Sequence, residues 1–230
     1  MVNFKVRSTY MLILSLLCLF NPVYYRAEAA PSLIAHGDGR AKVVALTFDD
    51  GPYPIYTERL LAVLDAYDVK ATFFLVGVNA ASHPELVREI ARGGHVVGNH
   101  SHRHLSMRDL PEEDIRWEWQ MCSHTIRAIT GNLPRFCRPP GGGYNGTIVS
   151  AARKEGLSVV LWTANGADYT GISPKAIERR VLGAVGPGGI ILLHEGVDNT
   201  IEALPVIIET LRSKGYRFVT IEKLMVNPRT

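Results

Sequence analysis

The chain predicts an α/β fold built on a parallel sheet, and three observations carry that expectation. Short apolar runs alternate with longer amphipathic ones, glycine and proline punctuate the boundaries, and no repeat, low-complexity stretch or linker interrupts the pattern. A length of 230 residues suits one domain of this class. Seven strands alternating with six helices fit a small or incomplete (β/α) barrel or a doubly wound open sheet, and periodicity alone does not separate the two.

The first strand, 43–48, is Val-Val-Ala-Leu-Thr-Phe, β-branched and aromatic in character, and Gly51-Pro52 stop it soon after. Leu60, Leu61 and Leu64 set a helix over 57–67, and Ala-Thr-Phe-Phe-Leu-Val forms a strand at 71–76. Pro84 opens a helix over 84–92, where its missing donor costs little, and a short strand follows at 95–98. Ile115, Trp119, Cys122 and Ile126 give helical spacing across 111–130, which Gly131 ends. Strands at 136–138 and 158–162 flank a helix over 148–154. A helix over 174–185 opens at Pro174, the apolar Gly-Ile-Ile-Leu-Leu makes a strand at 189–193, and a helix over 201–213 leads to a last strand at 217–221.

The first thirty residues differ from the rest. Lys5 and Arg7 precede an apolar run over 11–20, and Ala27-Glu28-Ala29 supplies a small-x-small cleavage pattern, so residues 1–29 read as a secretory signal and 30–230 as the mature domain. Ten apolar residues fall well short of the roughly 20 that a spanning helix needs. The expectation is therefore an exported protein without a membrane span after cleavage, acting outside the cell, in the wall or in the periplasm.

Removing residues 1–29 takes away Lys5, Arg7, Arg26 and Glu28 and leaves a net charge of +1. A nearly neutral domain with no dense Lys/Arg run gives no support for a nucleic-acid or anionic-membrane partner. A neutral sugar polymer fits better, bound by a monomer. Cys18 lies in the signal, so the exported domain keeps Cys122 and Cys137, two cysteines that predict a disulfide in an oxidising compartment. It would close a loop of about 15 residues and contribute roughly 3 kcal/mol.

Four segments carry chemistry. Asp49 and Asp50 follow the first strand at its C-terminal end, where α/β folds present reactive side chains, and strand alternation points them in different directions. One carboxylate suits a metal and the other a proton. His100 and His104, four apart in His-Ser-His-Arg-His, share one face if the segment is a helical turn; His102 then faces elsewhere. Two imidazoles and a carboxylate make a three-ligand site with open positions, compatible with Zn²⁺ or another divalent transition metal. Such a site polarises a carbonyl and lowers the pKa of water from about 15.7 toward 7. Cys-Arg-Pro-Pro-Gly-Gly-Gly-Tyr, 137–144, joins a permanent cation, Arg138, to a stiff turn whose glycines admit a substrate to backbone donors. His194 ends an apolar strand, where it can act as a general acid near neutral pH.

These motifs, Thr-Phe-Asp-Asp-Gly-Pro, His-Ser-x-x-His, Arg-Pro-Pro, Trp-x-x-Asn-x-x-Asp-Tyr and Leu-Leu-His, stand in the order of the polysaccharide deacetylase family, carbohydrate esterase family 4 or the NodB-homology domain. The resemblance runs from about Val43 to Leu224. It implies a single-domain distorted (β/α) barrel that hydrolyses N-acetyl groups on sugars, or O-acetyl groups in some members. It further implies that Asp49 is the catalytic base and Asp50, His100 and His104 the ligands of one divalent metal, Zn²⁺ ahead of Co²⁺ or Ni²⁺. In the same way Arg138 would orient the base, Asp168 would orient the acid His194, and Leu192 and Tyr169 would line the acetyl-methyl pocket. A backbone N–H near Gly141 would hold the oxyanion. The chain departs from the common pattern at Gly141, where Tyr or Phe is frequent, at Asn165 for Asp, at Tyr169 for Trp and at Glu195 for Asp. The competing classes are an inactive sugar-binding homologue, an O-acetyl esterase acting on acetylxylan, and a non-haem iron oxygenase with the same two-His-one-carboxylate logic. The oxygenase gives no reason for the second Asp or for His194.

Overall fold

The computed structural model describes residues 32–226. The secretory-signal expectation for residues 1–29 lies outside them. In chain order the elements are β1 (Leu33–Ile34), β2 (Val43–Asp49), α1 (Tyr56–Ala66), β3 (Thr72–Leu75), α2 (Gly77–Ser82), α3 (Pro84–Arg92), β4 (Val96–Asn99) and α4 (Glu112–Thr130). There follow β5 (Phe136–Cys137), α5 (Gly146–Lys154), β6 (Ser158–Val160), β7 (Ala164–Asn165), α6 (Pro174–Ala184), β8 (Gly189–His194), α7 (Asp198–Ser213), β9 (Arg217–Phe218) and α8 (Ile221–Met225). Single 3-10 turns at Pro140–Gly142 and Asp168–Thr170 complete the path.

All strand pairs are parallel, in the order β1-β6-β5-β4-β3-β2-β8-β7, with β9 against the first residues of β2. The sheet curls into an incomplete, distorted (β/α) barrel, one of the two architectures that the strand and helix alternation allowed. Its central strand β2 explains how a barrel forms from this sequence. Val44, Leu46 and Phe48 face outward into the cluster they share with Leu60 and Leu64 of α1 and Leu204 and Ile208 of α7. Val43 and Ala45 face inward with Phe74, Phe136, Val160 and Ile190, and α8 plugs this inner cluster through Ile221 and Leu224. A third cluster joins Ile115 and Trp119 of α4 to Ile148, Ala151 and Ala152 of α5.

Among the described residues nine strands form where seven were expected. The additional ones, β1 and β7, are two residues each, too short for alternation to register. The strand expected over 217–221 stops at Phe218, because Thr220 Oγ1 accepts from the Lys223 N–H at 3.4 Å and caps α8 instead. Among the described residues no helix is long and apolar enough to cross a membrane.

The expected disulfide is not formed: Cys122 and Cys137 are both free, buried thiols. Cys122 Sγ donates to the Leu75 carbonyl at 3.4 Å, and Cys137 packs into the third cluster, so each sulfur is satisfied by the core. Burial pushes both thiols well above their ordinary pKa, which keeps them protonated and inert.

Candidate active site

The two carboxylates sit where β2 ends, but backbone geometry sets their directions differently from simple alternation. Asp49 is the last strand residue, buried and paired in register with His194 of β8. Asp50 takes a left-handed conformation, φ 79°, which turns its side chain toward the same cavity as that of Asp49. Three hydrogen bonds hold this turn: Glu195 N–H to Asp49 O at 3.0 Å, Asn79 Nδ2 to Asp50 O at 2.9 Å, and Val76 N–H to Gly51 O at 2.9 Å.

His100 and His104 meet without the helical turn that their spacing suggested. The segment after β4 is irregular, with Ser101 and His104 at φ 67° and 58°. Asn99 Oδ1 accepts from Ser101 N–H, Ser101 Oγ accepts from His104 N–H, and fully buried Glu118 of α4 accepts from the N–H groups of His102 and Arg103. Arg103 Nε also reaches Glu118 at 2.6 Å. These contacts fold the loop so that the two rings lie 5.0 Å apart. The signal for Glu118 is in the sequence: it falls between Ile115, Trp119 and Cys122 on the apolar stripe of α4, where a carboxylate needs a buried partner.

Asp50 Oδ1 lies 3.3 Å from His100 Nε2 and 3.0 Å from His104 Nε2, and the three ligand atoms fall within 4.8 Å of one another. Donors bound at about 2.0–2.2 Å to one ion lie about 3.0–3.4 Å apart, so these residues fit a divalent cation. His100 Nδ1 donates to the Arg138 carbonyl at 2.7 Å, which leaves Nε2 free to ligate and fixes the ring, as outer-shell partners of metal-binding histidines do. Burial alone would raise the Asp50 carboxyl, but its hydrogen bonds and charge interactions with the two imidazoles hold it far below the usual carboxylate range. The Asp50 hydrogen bond raises His104 in turn, against the effect of burial.

Beside this triad Arg138 is fully buried and donates from one terminal nitrogen to Asp49 Oδ1 at 2.7 Å and Thr47 Oγ1 at 2.8 Å. Its other N–H groups reach the Val160 and Leu161 carbonyls, both at 3.1 Å, and the guanidinium lies over the Phe74 ring at 4.3 Å. Burial lowers its pKa, and the Asp49 charge opposes that shift. A buried charge with this many partners holds Asp49 in one orientation. Thr47, two residues before Asp49 on the inward face of β2, is a support that sequence reasoning passed over as ordinary strand.

Opposite stands His194, whose Nδ1 donates to Asp168 Oδ1 at 2.8 Å and whose backbone N–H donates to Asp168 Oδ2 at 2.7 Å. Thr200 Oγ1 adds a donor to Asp168 at 2.5 Å. With Nδ1 so engaged, Nε2 is left for the cavity. Burial favours the neutral ring, but the Asp168 hydrogen bond and the charges of Asp168, Asp49 and Asp50 outweigh it and raise the His194 pKa. Replacing Asp168 by Asn removes the largest raising influence, so His194 should lose its proton at a lower pH than in the wild type. NMR titration of the metal-free proteins measures this directly, and an unmoved His194 midpoint would contradict the assignment.

Between these groups lies a cavity of about 260 Å³, whose lining also includes Leu192, Tyr169, Trp162, Gly141 and Gly142. Leu192 is buried, whereas Tyr169 is 60 % exposed with its ring 5.0 Å from that of His194. Trp162 opens the Trp-x-x-Asn-x-x-Asp-Tyr motif but was given no role from sequence; its ring packs on Gly142, where any Cβ would collide with it. Asn165 also borders the cavity, while its Oδ1 accepts from Ala167 N–H at 2.7 Å and shapes the turn leading to Asp168. Glu195 lies behind Gly51, fully enclosed, and burial pushes its carboxyl up to about 8, so it adds no negative charge beside the two aspartates at neutral pH.

A parallel (β/α) barrel carrying a His-His-Asp cluster between an Asp–Arg pair and a His–Asp pair defines a metal-site hydrolase architecture. The polysaccharide deacetylase family model matches residues 36–160. A peptidoglycan-N-acetylglucosamine deacetylase of Bacillus cereus is 37% identical over 185 residues, covering 79% of this chain and 67% of that protein. Among solved structures, a peptidoglycan N-acetylglucosamine deacetylase in complex with an N-oxidanyl-benzamide superimposes with a TM-score of 0.82 at 35% identity, over 85% of this chain and 93% of that one. A CE4 family pseudoenzyme from Bacillus anthracis reaches 0.81 at 32% identity, over 85% and 69%. The chain belongs to the polysaccharide deacetylase family.

Proposed function

We propose that the protein is a metal-dependent N-deacetylase of N-acetylglucosamine-containing glycan, with peptidoglycan ahead of chitin-type oligomers as the polymer. The observation that carries this reading is the placement of Asp49 and His194 in register on adjacent strands, lining one cavity with the Asp50–His100–His104 cluster. A proton acceptor and a proton donor thus face one small cavity, which is what amide hydrolysis requires. The relatives named above support the substrate class, and export to the wall compartment agrees with the signal pattern of residues 1–29.

Asp50, His100 and His104 hold the divalent ion in this reading, Zn²⁺ ahead of Co²⁺ or Ni²⁺. When bound, such an ion supplies Lewis-acid polarisation of a carbonyl and acidifies water. Asp49, oriented by Arg138, takes the proton of the water that attacks the acetyl carbon. In this reading the backbone N–H of Gly141, which lines the cavity, meets the developing oxyanion. His194, protonated and steadied by Asp168, gives its proton to the departing sugar amine, and acetate leaves. Leu192 and Tyr169 enclose the acetyl methyl group. Both proton-transfer groups are present, which argues against an inactive sugar-binding homologue.

Amide cleavage needs a protonated leaving amine more than ester cleavage needs a protonated alcohol-forming oxygen, and the Asp168-supported His194 favours the amide. Acetate release from peptidoglycan fragments and N-acetylglucosamine oligomers should therefore exceed release from acetylxylan. Preferential release from the ester polymer would move the assignment to O-acetyl esterase.

A further inference from the structure

Beyond His104 and Gly141 the cavity opens into a second groove of about 380 Å³, lined by His104, Ser106, Arg108, Pro140, Gly141 and Gly143. The two spaces share His104 and Gly141, so a sugar whose acetamide enters the inner cavity lays its neighbour along this groove. No carboxylate lines it, and Arg108 makes no ion pair among the described residues. Arg108 is exposed, and its backbone is anchored on both sides. Met107 beside it is buried in the cluster between α4 and α5, Leu110 packs on the same cluster, and Asn145 Nδ2 donates to the Arg108 carbonyl at 3.4 Å. The side chain runs over Gly143, where a Cβ would lie 2.9 Å from Arg108 Nε. A guanidinium over Gly143 in a groove without a carboxylate has its planar donors uncommitted among the described residues, and those donors match a carboxylate.

We propose that this groove binds a carboxylate carried by the sugar next to the one deacetylated, with Arg108 as the residue that selects for it. The inference rests on the N-deacetylase reading and deepens it: the preferred glycan is anionic. In a wall polymer the carboxylate comes either from the lactyl ether of muramic acid or from the attached peptide, and the chemistry of recognition is the same.

The test compares kcat/KM for acetate release by the wild type and Arg108→Gln on three oligosaccharides of equal length. One is a neutral N-acetylglucosamine oligomer, one an alternating N-acetylglucosamine–muramic acid glycan without peptide, and one the same glycan with its peptide. The variant should lose about fivefold on carboxylate-bearing glycan, as expected of a partly exposed charge pair, and the loss should fade as salt rises. Activity on the neutral oligomer should be unchanged. A loss already present without peptide identifies the lactyl group, and a loss only with peptide identifies the stem; both support the proposal. Equal loss on all three glycans, or no loss on either charged one, overturns it. If the wild type releases acetate from none of them, the N-deacetylase reading fails separately. Calorimetric binding of the same glycans then decides the inference, with a selective loss in Arg108→Gln supporting it and unchanged affinity overturning it.

Discussion

Asp49→Asn is expected to lower kcat/KM for acetate release by about 10²–10⁴-fold, the usual contribution of a positioned general base. The substitution keeps size and shape, so the cavity and the Asp50–His100–His104 cluster persist and the bound ion is retained. What is lost is the proton acceptor. The same change has a second consequence, because Arg138 is fully buried and Asp49 is its only carboxylate partner among the described residues. Leaving that guanidinium uncompensated is expected to destabilise the fold by about 3 kcal/mol, since broken buried pairs cost on that order. Urea unfolding reports the stability change, and steady-state kinetics on the fraction that remains folded reports the base. A variant with wild-type kcat/KM would remove Asp49 from the chemistry.

Asp50→Ala acts on the other half of the aspartate pair and should be separable from it. Loss of outer-shell partners alone costs about 10–100-fold in metal affinity, so loss of a ligand is expected to cost at least about 100-fold. Activity should fall in parallel and recover in part at high metal concentration, which Asp49→Asn cannot do. The substitution also removes the hydrogen bond that most raises His104, so the metal-free His104 should titrate at a lower pH than in the wild type. Calorimetric titration with Zn²⁺ at fixed pH measures the affinity. Unchanged affinity would place the ion elsewhere.

How the two aspartates are aimed was only partly readable from sequence. The strand 43–48, its termination by Gly51-Pro52 and the position of Asp49 and Asp50 at its C-terminal end follow from local composition, and the structure bears them out. The direction of Asp50 does not, because a left-handed residue after a strand leaves no periodic trace. His100 and His104 are a similar case. Their spacing suggests a helical turn, whereas the structure joins them through an irregular loop pinned by Asn99, Ser101 and Glu118. Glu118 lies 16 residues from His102 in sequence, on α4, and no local pattern connects the two.

The supports behind the site were harder still. Arg138 and Asp168 carry signals of their own, a charge on a rigid Pro-Pro turn and an acid in a recognisable segment. Thr47 and Thr200 look like ordinary element residues until Arg138 and Asp168 are seen to bond them. The cysteine pair marks the reverse error: compartment logic favoured a bridge, while the core offers Cys122 a carbonyl and Cys137 an apolar cluster. The long, strongly periodic elements such as α3 and α4 were legible nearly to the residue, and two-residue strands such as β1 and β7 were not, because alternation needs length to register.

The most direct measurement is acetate release from peptidoglycan fragments by protein stripped with a chelator and then resupplied with Zn²⁺, Co²⁺ or Ni²⁺. The expected result is release that stops on stripping and returns with the ion in the wild type, but does not return in Asp49→Asn. Undiminished release in the stripped wild type, or full recovery in Asp49→Asn, would contradict a metal site and a separate carboxylate base working together at the end of β2.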